Sequence, residues 1–275
     1  MRLLLRISSE SKVGRCFFVE YIKIRKQDSN VVPCVKSIPE DPKGIVIAIH
    51  GFSSSKECAT YKMLLRRLPE AGYGMIGIEL PGHGREEALQ ETLRIEGCMN
   101  SIGAAEKYIS ETWPGMEVFY FASSFGAYIT GLYISMREHL GRKAFFRSAA
   151  VNMPSLFVKK NPNEKECKWL AELEQKGYFD ANVDLGAPVR ITKAMYHDLE
   201  TNDLFEIFNL SRFGDNKVAM VHGAEDTVID PNAAKAFARK FHIPLTVLEY
   251  EGHSLGGTPK TPETVAELAI SFYNT

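Results

Sequence analysis

Three residue types set far apart along this 275-residue chain could together do nucleophilic chemistry: a serine, an acid and a histidine. A hydroxyl is a weak nucleophile at its own pKa and needs a neighbouring base; histidine supplies one, and a carboxylate fixes its tautomer. The serine lies in Val118 to Tyr128, VFYFASSFGAY. Val118 to Phe121 have the apolar, aromatic character of a buried strand, and the run from Ala127, AYITGLYISMREHL, has the spacing of a helix packed on a sheet. Between them Ala122-Ser123-Ser124-Phe125-Gly126 forms a sharp turn of the G-x-S-x-G type, with Ala in the first glycine position. Small residues two before and two after the apex let strand and helix approach, which makes Ser124 the apex and Ser123 the variable position. At a helix N-terminus the Phe125 N–H could stabilise an oxyanion formed when Ser124 attacks a carbonyl. Serines also cap ordinary helices, so the pentapeptide alone fits either reading.

The other strand ends decide between them. Residues 13–38 read as two strands joined by the polar turn RKQDSN, an antiparallel hairpin that could pair with the sheet or with another subunit. Asp41-Pro42-Lys43-Gly44 is a turn before the continuous apolar strand IVIAI, which ends in His50-Gly51-Phe52. Ser53 to Ser55 offer caps for a helix through YKMLLRRLPEAG, closed by Gly72. The strand GMIGIEL ends in Pro81-Gly82-His83-Gly84, and a helix over 92–112 precedes the serine strand. A further strand is expected over 145–154, FFRSAAVNMP, with no carboxylate at its end. KVAMV leads to His222-Gly223-Ala224-Glu225-Asp226, a helix over 231–241 follows, PLTVLEYE ends at Glu251-Gly252-His253-Ser254, and ETVAELAISFY closes the chain as a helix. Strands alternating with helices predict a mostly parallel, doubly wound α/β sheet, whose chemistry gathers at the strands' C-terminal ends. Serine, acid and histidine therefore occur in the order Ser…Asp…His, each just past a strand.

With H-G-F at 50–52, P-G-H-G at 81–84, A-S-S-F-G at 122–126, H-G-A-E-D at 222–226 and G-H-S at 252–254, the sequence resembles an α/β-hydrolase. It is most similar to the group of monoacylglycerol lipases, cinnamoyl and feruloyl esterases and serine-aminopeptidase-like hydrolases. The resemblance runs from about residue 44 to the end, except for residues 155–215. It implies an eight-stranded α/β-hydrolase fold, with Ser124 as nucleophile, His253 as general base and acid, and Asp226 as the residue that orients the imidazole. The oxyanion hole would use the backbone N–H groups of Phe52 and Phe125. Glu225 and Asp230 compete with Asp226 for the acid, but Asp226 matches the family position, and Asp230-Pro231 has the character of a helix cap and first turn. His83 is expected to be structural and His50 to shape the oxyanion loop; His139, His197 and His242 have no assigned role. The loop PGHGREEA departs from relatives, which often have a small polar residue after the second glycine. The implied activity is cofactor-independent, metal-free cleavage of a carboxylic ester through an acyl-enzyme. A thioesterase or peptidase could use the same triad, and a non-catalytic binding protein on the same fold is a further alternative. Ser124 argues against the dehalogenase branch, which carries Asp at the elbow.

For about sixty residues the βα alternation lapses. Residues 155–215 are expected to form an inserted cap on a core of 1–154 and 216–275, covering an apolar cleft that takes a small-molecule ester. Tyr196, Phe205 and Phe208 fit cap core better than a substrate wall, and charges at Lys159, Lys160, Glu164, Lys165 and Glu166 disfavour a lipid-facing lid. A net charge of −1 gives no basic face for nucleic acid. No apolar run approaches the ~20 residues of a membrane span, and MRLLLR is too short for a signal peptide's apolar core, so no stable membrane insertion and a cytoplasmic location are expected. Five scattered cysteines without C-x-x-C spacing suggest reduced thiols rather than a disulfide framework or zinc site. Oligomeric state has no signature in the sequence.

Overall fold

A computed structural model describes residues 18–84, 92–158, 161–181, 187–211, 213–214 and 216–275. The hairpin β1 (Glu20–Arg25) and β2 (Val31–Ser37) is antiparallel, and β2 joins the sheet by pairing antiparallel to β4 (Gly74–Ile78). The hairpin thus pairs with the sheet of its own chain; residues 13–17 of the expected hairpin lie outside the described residues. The remaining strands β3 (Ile45–Ile49), β5 (Val118–Ser123), β6 (Gly141–Arg147), β9 (Val218–Gly223) and β10 (Leu245–Leu248) run parallel to β4, in the order β1-β2-β4-β3-β5-β6-β9-β10. Only β2 of the eight runs against the others.

Alternate residues of the central strands feed two cores. Ile45, Ile47 and Ile49 of β3 join one hydrophobic cluster, Val46 and Ala48 the other, as the two-residue period of a strand requires. Helix α1 (Ala59–Glu70) packs against α9 (Thr261–Asn274), a contact reinforced by Arg67 to Glu263 at 3.1 Å. Helices α2 (Ile95–Thr112) and α3 (Phe125–Met136) pack against each other on the opposite core. Every residue of β3, β4 and β5 is buried, which is why their sequences read as unbroken apolar runs.

Some boundaries differ from the sequence expectation for identifiable reasons. The strand expected over 145–154 is β6, Gly141–Arg147, and residues 148–152 form the turn that leaves it. Its polar start hides a buried lysine: Lys143 Nζ donates to the Phe272 carbonyl and the Thr275 hydroxyl, at 2.8 and 2.9 Å. The serines at 53–55 do not cap α1; the cap position is Cys58, without a side-chain hydrogen bond, while Gly72 does close the helix in a left-handed conformation. Helix α3 stops at Met136, short of REHL.

Between β6 and β9 the chain leaves the sheet. It forms α4 (Met153–Phe157), α5 (Glu164–Lys176), the separate antiparallel pair β7 (Tyr178–Ala181) and β8 (Val189–Thr192), α6 (Lys193–Thr201) and α7 (Leu204–Ile207). The stretch 192–208 is divided into two helices, because Asp203 caps α7 by accepting from Phe205 N–H at 2.8 Å. Asp198 and Asn202 fasten this segment to the rest of the chain. Asp198 takes a two-armed contact from Arg94, at 2.6 and 2.8 Å, and accepts from Ile95 N–H at 3.1 Å, thereby capping α2 from another part of the chain. Tyr128 on α3 donates to the Asn202 carbonyl at 2.6 Å. Among the described residues no helix is long and apolar enough to cross a membrane.

Candidate active site

The turn after β5 is as tight as its composition implies. Ser124 has φ 51° and ψ −116°, a conformation that side chains other than glycine rarely adopt. It persists because the chain is held on both sides: Ser124 N–H donates to the Arg147 carbonyl at 2.9 Å, and the Ser124 carbonyl accepts from Ala127 and Ala150 N–H at 3.0 and 3.2 Å. A Cβ on Gly126 would stand 2.5 Å from the carbonyl oxygens of Ile49 and His50, so only glycine lets α3 pass this close to the end of β3. A Cβ on Gly51 would lie 3.1 Å from Ser124 Cβ, which shows how near the 50–52 loop comes to the serine.

The sheet order brings β5, β9 and β10 to one edge, and the loops after them meet there. His253 Nε2 lies 3.0 Å from Ser124 Oγ, and His253 Nδ1 lies 2.8 Å from Asp226 Oδ2. This relay fits a neutral imidazole protonated at Nδ1, with Nε2 free to accept from the hydroxyl. Glu225 and Asp230 are exposed, and Asp230 accepts from Asn232 N–H at 2.8 Å at the start of α8 (Pro231–Lys240). Of the three candidate acids, Asp226 is the one that reaches His253.

Asp226 is buried, and four donors surround it. Its Oδ1 accepts from Val228 and Ile229 N–H, each at 2.9 Å, and its Oδ2 from His253 and from His222 Nε2, at 3.0 Å. Burial pushes its pKa up, but hydrogen bonds from His222 and His253, the charge of His253 and the Ile229 N–H outweigh that and hold the carboxyl well below its ordinary range. His222 is a participant that the sequence reading left without a role. Its Nε2 also faces the Ile229 carbonyl at 3.2 Å, so with two acceptors there it carries the proton. The signal was in H-G-A-E-D itself, whose histidine stands four residues before the acid.

Phe125 is the first residue of α3, so its N–H is among those with no acceptor inside the helix. Phe52 follows Gly51, and the Phe52 and Phe125 rings meet edge to face at 5.7 Å. Behind this loop lies a buried polar cluster. Glu79 Oε1 accepts from Lys56 N–H at 2.9 Å, Glu79 Oε2 faces Lys56 Nζ at 3.3 Å, and His50 Nε2 stands 3.0 Å from Glu79 Oε1. Burial raises the Glu79 pKa, yet the partners His50 and Lys56 more than reverse it, so the carboxylate stays ionised at the base of the 50–56 loop. His83 is wedged against Phe52 and Phe125; burial and the nearby charge of His50 lower its pKa to about 3, leaving a neutral packing residue. The expected roles of His50 and His83, loop shaping and packing, agree with these contacts.

A cavity of about 300 Å³ opens above Ser124 and His253. Its wall is mainly apolar, with Phe52, Met153, Leu156, Phe157, Val228 and Ile229, and includes Arg147. From 155–215, Leu156 and Phe157 reach it among the described residues, whereas Phe205 and Phe208 pack on Phe237, in line with a core role. Lys159 and Lys160 lie outside the described residues.

Residues 40–207, more than half of the chain, match the model of the family described as "Serine aminopeptidase, S33". No curated protein matches the sequence. Several solved structures share the fold. Est1E from Butyrivibrio proteoclasticus, determined with ferulic acid bound, aligns with a TM-score of 0.74 at 16% identity, over 92% of this chain and 100% of its own. An esterase domain from a Rhodothermus marinus protein aligns at 0.69 with 14% identity, over 92% and 97%. The Pyrococcus furiosus esterase Pf2001 aligns at 0.68 with 14% identity, over 97% and 98%. At these identities the likeness establishes a common fold.

Proposed function

The chain belongs to the serine aminopeptidase family and is a serine hydrolase of the α/β-hydrolase type, and from that premise we propose that it cleaves carboxylic esters through an acyl-enzyme on Ser124. The observation that carries the reading is the unbroken relay Ser124 Oγ, His253 and Asp226, at 3.0 and 2.8 Å. Ser124 Oγ attacks the ester carbonyl carbon while His253 Nε2 takes its proton. Asp226, ionised and held by four donors, keeps the imidazole oriented and stabilises its cation. The tetrahedral oxyanion accepts hydrogen bonds from Phe52 and Phe125 N–H, whose aim at developing charge lowers the barrier. Collapse expels the alcohol, protonated by His253. Water, activated by the same imidazole, then attacks the acyl-serine and releases the acid.

One feature favours an ester over the peptide that an aminopeptidase would take. Recognition of a free α-ammonium calls for a carboxylate at the cavity, and among the described lining residues there is none, while Arg147 would repel that cation. Residues 155–215 act as a cap in this reading, held to the core 1–154 and 216–275 by Asp198 and Asn202. The substrate is a small molecule, and no cofactor takes part.

Hydrolysis of p-nitrophenyl esters from acetate to palmitate, by the native chain and Ser124→Ala, tests this. Turnover that disappears in the variant is expected. Turnover that survives it would remove Ser124 from the mechanism, and labelling of Ser124 by a fluorophosphonate without any ester turnover would move the reaction to thioesters or peptides.

A further inference from the structure

Arg147 stands at the end of β6, paired in register with Ser123, the residue before the candidate nucleophile. Neighbouring parallel strands lie about 4.8 Å apart, so its side chain starts beside the reacting centre, and it lines the same cavity as Ser124 and His253. Among the described lining residues it is the only arginine or lysine.

Arg147 is half-buried at the wall of this cavity, and a guanidinium partly withdrawn from water costs free energy unless an anion answers it. None does here. Arg147 Nη2 donates to the Ser254 carbonyl, which occupies one of five N–H donors. Among the described residues no carboxylate lies within ion-pair distance of it. The acids whose charge it feels are committed elsewhere: Asp226 to His222, His253 and two backbone N–H groups, and Glu251 to Gly257 N–H at 2.9 Å and the Thr261 hydroxyl. Burial lowers the Arg147 pKa to about 10, which leaves it charged at neutral pH. Bracing of the histidine loop does not account for this charge, because Ser148 Oγ already donates to the His253 carbonyl at 2.8 Å and a neutral donor would serve as well at Ser254.

We propose that Arg147 determines specificity, selecting esters that carry a carboxylate a few bonds from the scissile carbonyl. The inference rests on the esterase reading of Ser124, His253 and Asp226. With one edge of the guanidinium on Ser254, the remaining donors form a planar fork that suits a carboxylate. A phosphate dianion would call for a second cation, and no other described lining residue supplies one.

The test uses matched pairs. Monoethyl glutarate is compared with ethyl pentanoate, which places the carboxylate on the acyl side, and O-butanoylglycolate with propyl butanoate, which places it on the alcohol side. The native chain is expected to favour the acid of at least one pair by about tenfold in kcat/KM, chiefly through KM. Arg147→Met should abolish that preference, and Arg147→Lys, which keeps charge without the fork, should retain part of it. Glutarate should also inhibit the native chain about tenfold more tightly than pentanoate, a measurement that needs no variant to fold. Equal rates within both pairs, or a preference that survives Arg147→Met, overturn the proposal. Failure of the native chain to hydrolyse even p-nitrophenyl pentanoate overturns the esterase reading, and this inference with it.

Discussion

His222 Nε2 lies 3.0 Å from Asp226 Oδ2, the same carboxylate oxygen that faces His253 Nδ1 at 2.8 Å. Two histidines, one from the end of β9 and one from the loop after β10, therefore meet on a single acceptor, and the backbone N–H groups of Val228 and Ile229 take the other. The acid is fixed from every side before any substrate arrives. In the proposed mechanism, preorganisation of this kind means that His253 need not reorient when it takes the Ser124 proton.

Removing the second histidine should be felt in stability. His222→Ala takes one donor from a buried, ionised acceptor, and such bonds are worth about 2 kcal/mol. Urea denaturation should show a loss of that size, with a smaller loss in His222→Gln if the amide reaches the same oxygen. Unchanged stability in the alanine variant would mean that water or a shifted loop replaces the bond without cost.

The same carboxyl predicts a pH dependence with a definite sign. Its folded pKa is depressed, so its stabilising contribution is complete above the unfolded value, ~3.9, and drains away as pH falls below it. Asp226→Asn should be less stable than the native chain at pH 7, and the gap should narrow toward pH 3. A gap that stays constant over this range would show that Asp226 contributes through packing rather than charge.

Activation of Ser124 can be followed without a substrate. A fluorophosphonate should label Ser124 in the native chain, and His253→Ala should slow labelling by about 10³-fold, the scale of a lost general base. Labelling at the native rate in that variant would separate the 3.0 Å contact from any role in activation.

Gly126→Ala probes the turn itself. The added Cβ would meet two carbonyl oxygens at 2.5 Å, and backbone cannot yield as a flexible side chain can. A loss of about 3 kcal/mol is expected, measured by thermal or urea unfolding, with turnover falling as Ser124 is displaced. Gly51→Ala, 3.1 Å from Ser124 Cβ, should be milder in stability and should act mainly on activity.

Much of this molecule was legible from the chain alone. β3, β4 and β5 are buried on both faces, so each appears as an unbroken apolar run, and the glycines and prolines that end strands mark the turns. That a serine, an acid and a histidine occur in this order, each just past a strand, is a local reading, whereas the choice of Asp226 over Glu225 and Asp230 rested on the resemblance to α/β-hydrolases. The start of β6 was not legible in this way. Arg142 and Lys143 resemble loop residues until the chain's C-terminal end closes over Lys143.

What the tertiary structure decided are the partnerships of polar residues distant in sequence. Asp198 caps α2 from 103 residues away, and Arg147 reaches Ser254 across 107. The sheet order decides which loops meet: β6 lies between β5 and β9, so Arg147 comes beside the serine turn, and Ser148 meets the histidine loop. Periodicity and turn chemistry act over a few residues and survive in the sequence as pattern. A hydrogen bond between distant side chains leaves no such pattern, because its geometry exists only once the strands have taken their places.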